Sequence, residues 1–482
     1  MDNDLTSIQE ARDLVSSAYA AWQSWSHATQ ADVDRVCEAM AEAGVQAAER
    51  LGQLAHDETG YGHPLHKKLK NITGSRLVWE SIRAEKTVGV IKHDPEKKVT
   101  EIAWPIGVIA ALVPSTNPTS TTLYKALIAV KARDAIVFAP HPSAARCTFE
   151  AAKVMAEAAE KAGAPKGLIA CMQHISLEGT QALMTHKRTA LILATGGTPM
   201  VRAAHSTGKP AYGVGPGNVP VYVDRTADIA KAARYIVASK AFDCSTICAT
   251  EQAVVADRPI AAQLAALMHA EGAFFCDAHQ TNLLRKTVFL PNGAMNTAVV
   301  GKPAPYVAAY AGFDVPFETR ILVTPLTKVG REEPLSHEKL TTVLAWYEVD
   351  GWEKGCETSI SLIETGGKGH TQIIYAQDER VILAFGLEKP VFRILVNTMG
   401  TLGAVGLTTG LDASFTLGSG GVGGAITGDN ITARHLINVK RLAYELYQPP
   451  LEALQPVERM IPPQASVVES AIENILQEIL RR

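Results

Sequence analysis

From about residue 100 onward, short apolar runs alternate with helical patterns, and this alternation limits the chain's fold more than any other feature. Ile106–Val113 is a mostly apolar run that reads as a buried strand. It ends at Pro114-Ser115-Thr116-Asn117-Pro118, after which Leu123, Leu127 and Val130 recur at helical spacing. Ala135–Phe138 reads as the next strand, closed by Ala139-Pro140-His141-Pro142 and followed by a helix over 144–162. Leu168–Met172, Ala190–Leu193 and Val219–Val223 repeat the pattern. It resumes with Val254-Val255, a helix near 259–271, Ile321–Val323 and Leu344–Val349. Strands separated by helices imply parallel β-α-β units and a doubly wound sheet. The expected class is therefore α/β, with two domains joined near Gly217–Asp224. Ahead of them, residues 5–57 are Ala-rich, with Leu14, Val15, Tyr19 and Trp22 at helical spacing, and read as two or three helices.

The bulk numbers exclude several classes. A chain of 482 residues, 47% hydrophobic, can bury a large core and exceeds the size at which single cores stop growing. Net charge is −3 with both signs interspersed, so no basic block argues for nucleic acid. The seven cysteines are odd in number and scattered, which reads as reduced thiols in a cytoplasmic setting. Cys244 and Cys248 are four apart, but no second Cys or His pair follows at zinc spacing, so no metal is expected. The acidic start Met1-Asp2-Asn3-Asp4 lacks an apolar signal core, and no stretch approaches ~20 apolar residues, so neither export nor a membrane span is expected.

Three segments carry candidate chemistry. Cys248 lies among small residues in Phe242-Asp243-Cys244-Ser245-Thr246-Ile247-Cys248-Ala249, ahead of the apolar run Ala253-Val254-Val255. That setting suits a nucleophile on a turn feeding a buried strand; a lone cysteine also suits a core, since free Cys is among the most buried residues. Thr195-Gly196-Gly197-Thr198-Pro199-Met200 follows a strand and opens a helix, where glycines let a dinucleotide approach and the helix N-terminus offers unpaired N–H groups. Alone it could be only a turn, and Gly213-Val214-Gly215-Pro216-Gly217-Asn218 is as ambiguous. Asn117 could cap the next helix or donate to an oxyanion.

In this order, these segments closely resemble the aldehyde dehydrogenase superfamily over about residues 10–447, and within it the CoA-acylating branch. That branch contains the aldehyde dehydrogenase half of bifunctional alcohol/aldehyde enzymes and the acylating enzymes of bacterial microcompartments. The resemblance implies an aldehyde dehydrogenase-like fold: a Rossmann-like nucleotide-binding domain, an α/β catalytic domain and a small oligomerisation element. The expected boundaries are 1–220 for NAD/CoA binding, 221–417 for the catalytic thiol and 418–447 for a return segment to the cofactor and oligomerisation region. It implies Cys248 as nucleophile and Asn117 as oxyanion donor. Thr195, Gly196, Gly197 and Met200 would line the nicotinamide cofactor, with Pro114 and Gly215 beside them. Glu338 would bind the nicotinamide-side ribose and His141 would contact the adenine-side ribose. NAD is the expected cofactor, with NADP left open because His141 and Ala144 supply no carboxylate to repel a 2′-phosphate.

Hydrolytic members of the superfamily carry a glutamate that activates water to cleave the thioester; aligned on the glycines and proline, this chain has Val214 there. Valine cannot take a proton, so the thioester is expected to leave by transfer to another thiol, coenzyme A. The expected reaction is reversible oxidation of a short-chain aldehyde, acetaldehyde or propionaldehyde, with NAD and CoA. Sulfoacetaldehyde is an alternative, though His370, Arg393 and the loop 418–424 form no evident anion clamp. A hydrolytic enzyme using another acid, such as Glu251, and a degenerate scaffold that only binds shell proteins are the rivals.

The tail stands apart. Gln448-Pro449-Pro450 and Ile461-Pro462-Pro463-Gln464 bracket a linker over 448–464. Beyond it, in 465–482, Val467, Val468, Ala471, Ile472, Ile475, Leu476, Ile479 and Leu480 give a helix one broad apolar face. The face could pack on its own domain, on a sister subunit of a homodimer or homotetramer, or on a partner. It resembles the short helices that direct acylating enzymes into microcompartment shells.

Overall fold

The computed structural model describes residues 2–448 and 465–481. The chain divides into two compact units, Met1–Ile91 with Ile102–Lys440, and Lys92–Glu101 with Arg441–Arg482. Its strands are β1 (Gly89–Asp94), β2 (Val99–Pro105), β3 (Val108–Val113), β4 (Ala135–Pro140), β5 (Ile169–Cys171), β6 (Thr189–Thr195), β7 (Ala211–Val214) and β8 (Val219–Val223). They continue as β9 (Glu251–Asp257), β10 (Ala273–Phe275), β11 (Ile321–Pro325), β12 (Val343–Val349), β13 (Gly369–Tyr375), β14 (Val391–Val396) and β15 (Ile437–Ala443).

The Ala-rich start forms two long helices, Asn3–Trp25 and Gln30–Thr59. The second begins with a capping box between Thr29 and Asp32 and stops at Gly60, whose φ of 68° is left-handed. Its buried residues Val33, Val36, Cys37, Met40 and Ala41 follow the helical period, so one stripe faces the core.

In the larger unit, a five-stranded sheet runs β5-β4-β3-β6-β7 with all neighbours parallel. The chain starts this sheet at its centre, winds outward through β4 and β5, and returns across β3 to β6. The reversal leaves a crevice beyond the carboxyl ends of β3 and β6, where such sheets bind ligands. Every residue of β3 and β4 is buried, the continuous apolar pattern of a parallel strand covered on both faces. Ile109, Ile136 and Phe138 are fully buried, each contributing roughly 1.5–3 kcal/mol.

A second sheet in the same unit runs β10-β11-β12-β9-β8-β13-β14, also parallel. Alternate residues of β8 and β9 supply its two faces: Val219, Val221, Val254 and Ala256 enter one apolar cluster, while Tyr222, Ala253 and Val255 enter another. Because β7 ends at Val214 and β8 begins at Val219, the chain crosses between sheets at 215–218. β1, β2 and β15 form a third sheet, in which β1 and β15 are mostly exposed.

Residues 449–464, which hold nearly all of the Pro-rich segment, lie outside the described residues. Ala465–Leu480 is the helix that its paired apolar residues predict. Its stripe is open, from 43% exposure at Val468 to 83% at Leu480. Among the described residues no helix is long and apolar enough to cross a membrane.

Candidate active site

The carboxyl ends of the first sheet and the amino ends of the second line one cavity of about 380 Å³. From the first come Pro114 after β3, His141 after β4, Thr195 at the end of β6 and Val214 at the end of β7. From the second come Gly215 on the crossing before β8 and Cys248 just before β9. Asn117, Gly196, Gly197, Met200 and Glu338 line it too, so all ten residues for which the resemblance implies a catalytic or cofactor role lie on this cavity, together with Val214.

Cys248 is reached through an unusual turn. After the helix Ile229–Ala241, Asp243, Cys244 and Ser245 take φ values of 48°, 51° and 67° in succession. Three consecutive non-glycine residues in the left-handed region cost of order 1–3 kcal/mol each and persist only where surroundings hold them. Here the buried Asp243 carboxylate is that anchor. It accepts from the His63 N–H at 2.7 Å, from the Thr246 hydroxyl at 2.6 Å and from the Lys67 ammonium at 3.3 Å, and it pairs with Lys70. These cations hold its carboxyl down at about 2 against the effect of burial.

Burial pushes the Cys248 thiol up to about 12; the Glu338 carboxylate adds to this, while the Arg393 guanidinium and the N–H groups of Cys248 and Ala249 oppose it. His370 Nε2 lies 3.3 Å from the sulfur, and its Nδ1 meets the Thr371 hydroxyl at 3.0 Å. Burial drives this imidazole down to about 3, with Arg393 adding to the effect. Sequence reasoning weighed His370 only as an anion clamp and missed its place beside the sulfur. A His at the start of a strand 122 residues downstream carries no local signal of that contact.

Asn117 stands at the head of the helix Pro118–Lys131 but makes no side-chain capping bond. Its amide turns instead toward Cys248's turn, donating to the Thr246 carbonyl at 3.0 Å and the Thr116 hydroxyl at 3.1 Å. Glu338 is half-buried and accepts from the Gly217 N–H at 2.9 Å; loss of solvent around it pushes its carboxyl up to about 7. A Cβ on Gly217 would meet the Cys248 carbonyl at 2.4 Å and the His370 ring at 3.0 Å, which explains the glycine in that motif.

The rival residues sit elsewhere. Arg393 bonds the Gly418 and Gly428 carbonyls and does not line the cavity. Glu251 is buried, accepts from the Gly400 N–H at 2.8 Å and also lies outside the cavity wall. Cys244, likewise off the wall, has its thiol pushed up to about 12 by burial and the adjacent Asp243 carboxylate. Val214 does line the cavity, with no titratable atom to offer. Among the described residues no group of three or more His, Cys, Asp or Glu is placed to hold a metal ion.

A nicotinamide dinucleotide fits what is present. Gly197 precedes the helix Thr198–His205 without a side-chain cap, leaving its first N–H groups available to a pyrophosphate. A Cβ on Gly196 would approach only Met200 and one on Gly215 nothing, so the backbone is open to a ligand there.

Comparison with known proteins agrees with this geometry. The aldehyde dehydrogenase family model matches residues 4–273. The chain is 40% identical over 444 residues to the bifunctional aldehyde-alcohol dehydrogenase of Escherichia coli (strain K12), an alignment covering 91% of this chain and 50% of that protein. It thus spans about half the length of such curated relatives. An acetylating aldehyde dehydrogenase from Geobacillus thermoglucosidasius superposes with a TM-score of 0.92 at 48% identity, covering 93% of this chain and 99% of that one. The Rhodopseudomonas palustris propionaldehyde dehydrogenase, solved with bound propionyl-CoA, superposes with a TM-score of 0.81 at 26% identity, covering 90% and 94%. The resemblance read from the motifs is the one these comparisons return. The chain belongs to the aldehyde dehydrogenase family.

Proposed function

We propose that this chain is a CoA-dependent acylating aldehyde dehydrogenase. It converts a short-chain aldehyde, CoA and an oxidised nicotinamide dinucleotide into acyl-CoA and the reduced dinucleotide. The observation that carries this reading is a cavity wall on which Val214 offers no base for water, while His370, the base in contact with the Cys248 sulfur, is not among the residues of that wall.

Both members of the contact are neutral near pH 7, so attack needs a proton transfer. His370 Nε2 takes the Cys248 proton as the sulfur bonds to the aldehyde carbon. The Asn117 amide and the Cys248 backbone N–H receive the developing oxyanion. Glu338, Gly196, Gly197 and Met200 hold the dinucleotide, with Thr195, Pro114 and Gly215 beside them and His141 toward its adenine end. When bound, its nicotinamide supplies the hydride acceptor that turns the Cys248 thiohemiacetal into a thioester. His370 gives the Cys248 proton up to solvent, the one proton released in the overall oxidation, and in its neutral form then takes the proton of the CoA thiol. That sulfur bonds to the acyl carbon, the Cys248 sulfur leaves as thiolate and regains a proton, and acyl-CoA is released. Thioester exchanges for thioester at little cost, so the reaction runs both ways. The propionyl-CoA held by the Rhodopseudomonas palustris relative supports CoA as the acceptor.

Among the described residues no Lys or Arg lines the cavity, which favours a neutral aldehyde such as acetaldehyde or propionaldehyde over a sulfonated one. At the adenine end His141 meets the Ser143 hydroxyl at 2.8 Å, and neither side chain is a carboxylate that would repel a 2′-phosphate, so NAD is assigned with NADP as an accepted alternative that this end does not reject. Exposed Leu442, Tyr444, Leu446 and Tyr447 support assembly as a homo-oligomer, and the open stripe of Ala465–Leu480 supports docking to shell proteins.

Replacing each thiol tests the assignment. Cys248→Ala abolishes turnover and Cys244→Ala retains most of it; the reverse result identifies the wrong nucleophile.

A further inference from the structure

We infer that Lys70 is a positioning residue for the reaction: its ammonium, anchored by Asp243, orients and polarises the Asn117 amide so that the N–H end serves the oxyanion. The inference rests on the proposed role of Asn117 and adds a residue that no motif in the sequence pointed to.

Lys70 lies on the helix Pro64–Ile72 and is buried. Its Nζ donates to Asn117 Oδ1 at 2.6 Å and to the Thr246 hydroxyl at 3.3 Å, and it pairs with the Asp243 carboxylate. On the other side of the amide, one Asn117 Nδ2 hydrogen goes to the Thr246 carbonyl and the other to the Thr116 hydroxyl, the contact that an oxyanion replaces. The Lys70 and Thr246 contacts fix which end of the amide points where. A reversed amide would set N–H groups against an ammonium and an oxygen against a carbonyl oxygen, two repulsions in place of two bonds. A cation on Oδ1 also draws charge from the amide nitrogen, making its N–H groups stronger donors.

The same turn ties the donor to the nucleophile. Asp243 opens the left-handed run Asp243-Cys244-Ser245, Thr246 follows with its carbonyl on Asn117, and Cys248 stands two residues on. Lys67 reaches both the Asp243 carboxylate and the Thr116 carbonyl at 3.3 Å, so the segment before Asn117 is held from the same helix. A buried ammonium is expensive, and burial pushes Lys70 down to about 8 even with Asp243 beside it. A side chain needed only for packing would not require that charge.

A double-mutant cycle on the full-length protein tests this, with acetaldehyde, NAD and CoA as substrates and iodoacetamide alkylation of Cys248 as a check on the nucleophile. Asn117→Ala is expected to lower kcat by roughly 10²–10³. Lys70→Met should lower kcat by about ten- to a hundredfold while KM for the aldehyde changes by less than about threefold. Alkylation should be unchanged. The variant can fold because Lys67, His63 and Thr246 still satisfy Asp243. In the double variant kcat should match Asn117→Ala within about threefold, since Lys70 acts through a group already removed. Should Lys70→Met prove unstable, Asp243→Asn must show the same loss confined to kcat. Wild-type kcat in Lys70→Met, or losses that multiply in the double variant, would overturn the inference while leaving Asn117 in place. Wild-type kcat in Asn117→Ala would remove the parent reading instead.

Discussion

His370 Nε2 lies 3.3 Å from Cys248 Sγ, and burial holds both groups neutral, with the thiol pushed up to about 12 and the imidazole down to about 3. A pre-formed thiolate–imidazolium pair is therefore not the resting state. The imidazole is positioned to take the proton only as sulfur attacks, and again when a second thiol enters.

Removing that base should be costly. His370→Ala is expected to lower kcat at pH 7 by roughly 10²–10⁴, the usual range for a positioned general base. The loss should shrink as pH rises and hydroxide deprotonates the thiol. Steady-state rates across pH 6–10 check this; an unchanged kcat at pH 7 excludes His370 from proton transfer.

The raised thiol pKa sets a direction for reactivity in the free enzyme. A thiol titrating at about 12 is almost wholly protonated at neutral pH, so its thiolate fraction grows with pH up to that value. Alkylation of Cys248 by iodoacetamide, followed by mass spectrometry, should accelerate by about tenfold per pH unit through pH 7–10. A plateau at pH 8–9 would mean that the sulfur behaves as an ordinary exposed thiol.

Gly217 is where the glycine motif meets the chemistry. A Cβ there would press on the Cys248 carbonyl and the His370 ring. Misplacement of about 1 Å can cost on the order of 10²-fold, so Gly217→Ala should lower kcat by about that factor. Thermal unfolding and kcat measured together check this, because a loss of fold would appear in the first.

The legible parts of this protein are those with local signals. β3, β4 and β8 are continuous apolar runs, β9 carries the apolar stretch Ala253–Ala256 at its centre, and the Gly196-Gly197 turn announces itself by composition. β13 was not read as a strand because it opens Gly369-His370-Thr371-Gln372, polar residues that are buried by their neighbours rather than by their own hydrophobicity. β1 and β15 carry no clear strand signal because exposed, charged strands alternate weakly. At the site, the residues that the family motifs single out are brought to the wall of one cavity. His370 and Lys70 have no such motif, since 122 and 47 residues separate them from the groups they serve and only the tertiary fold brings them there.

The tail makes a separable prediction. Deleting everything after Pro450 should leave kcat and the oligomeric state unchanged, because every residue of the cavity precedes it. The same deletion, or Ile475→Glu, should abolish co-purification with microcompartment shell proteins, since each fully buried apolar side chain is worth roughly 1.5–3 kcal/mol. Dissociation of the truncated protein would place the helix in the subunit interface instead.

NADH formation from acetaldehyde and NAD, with and without CoA, tests the central claim most directly. With Val214 in place of a base and Glu251 off the cavity wall, the acyl-enzyme should persist in the absence of CoA. The account predicts at most one NADH per Cys248 without CoA, continuous turnover once CoA is added, and acyl-CoA as product. Equal steady-state NADH production in both arms, with free acid released, would contradict it.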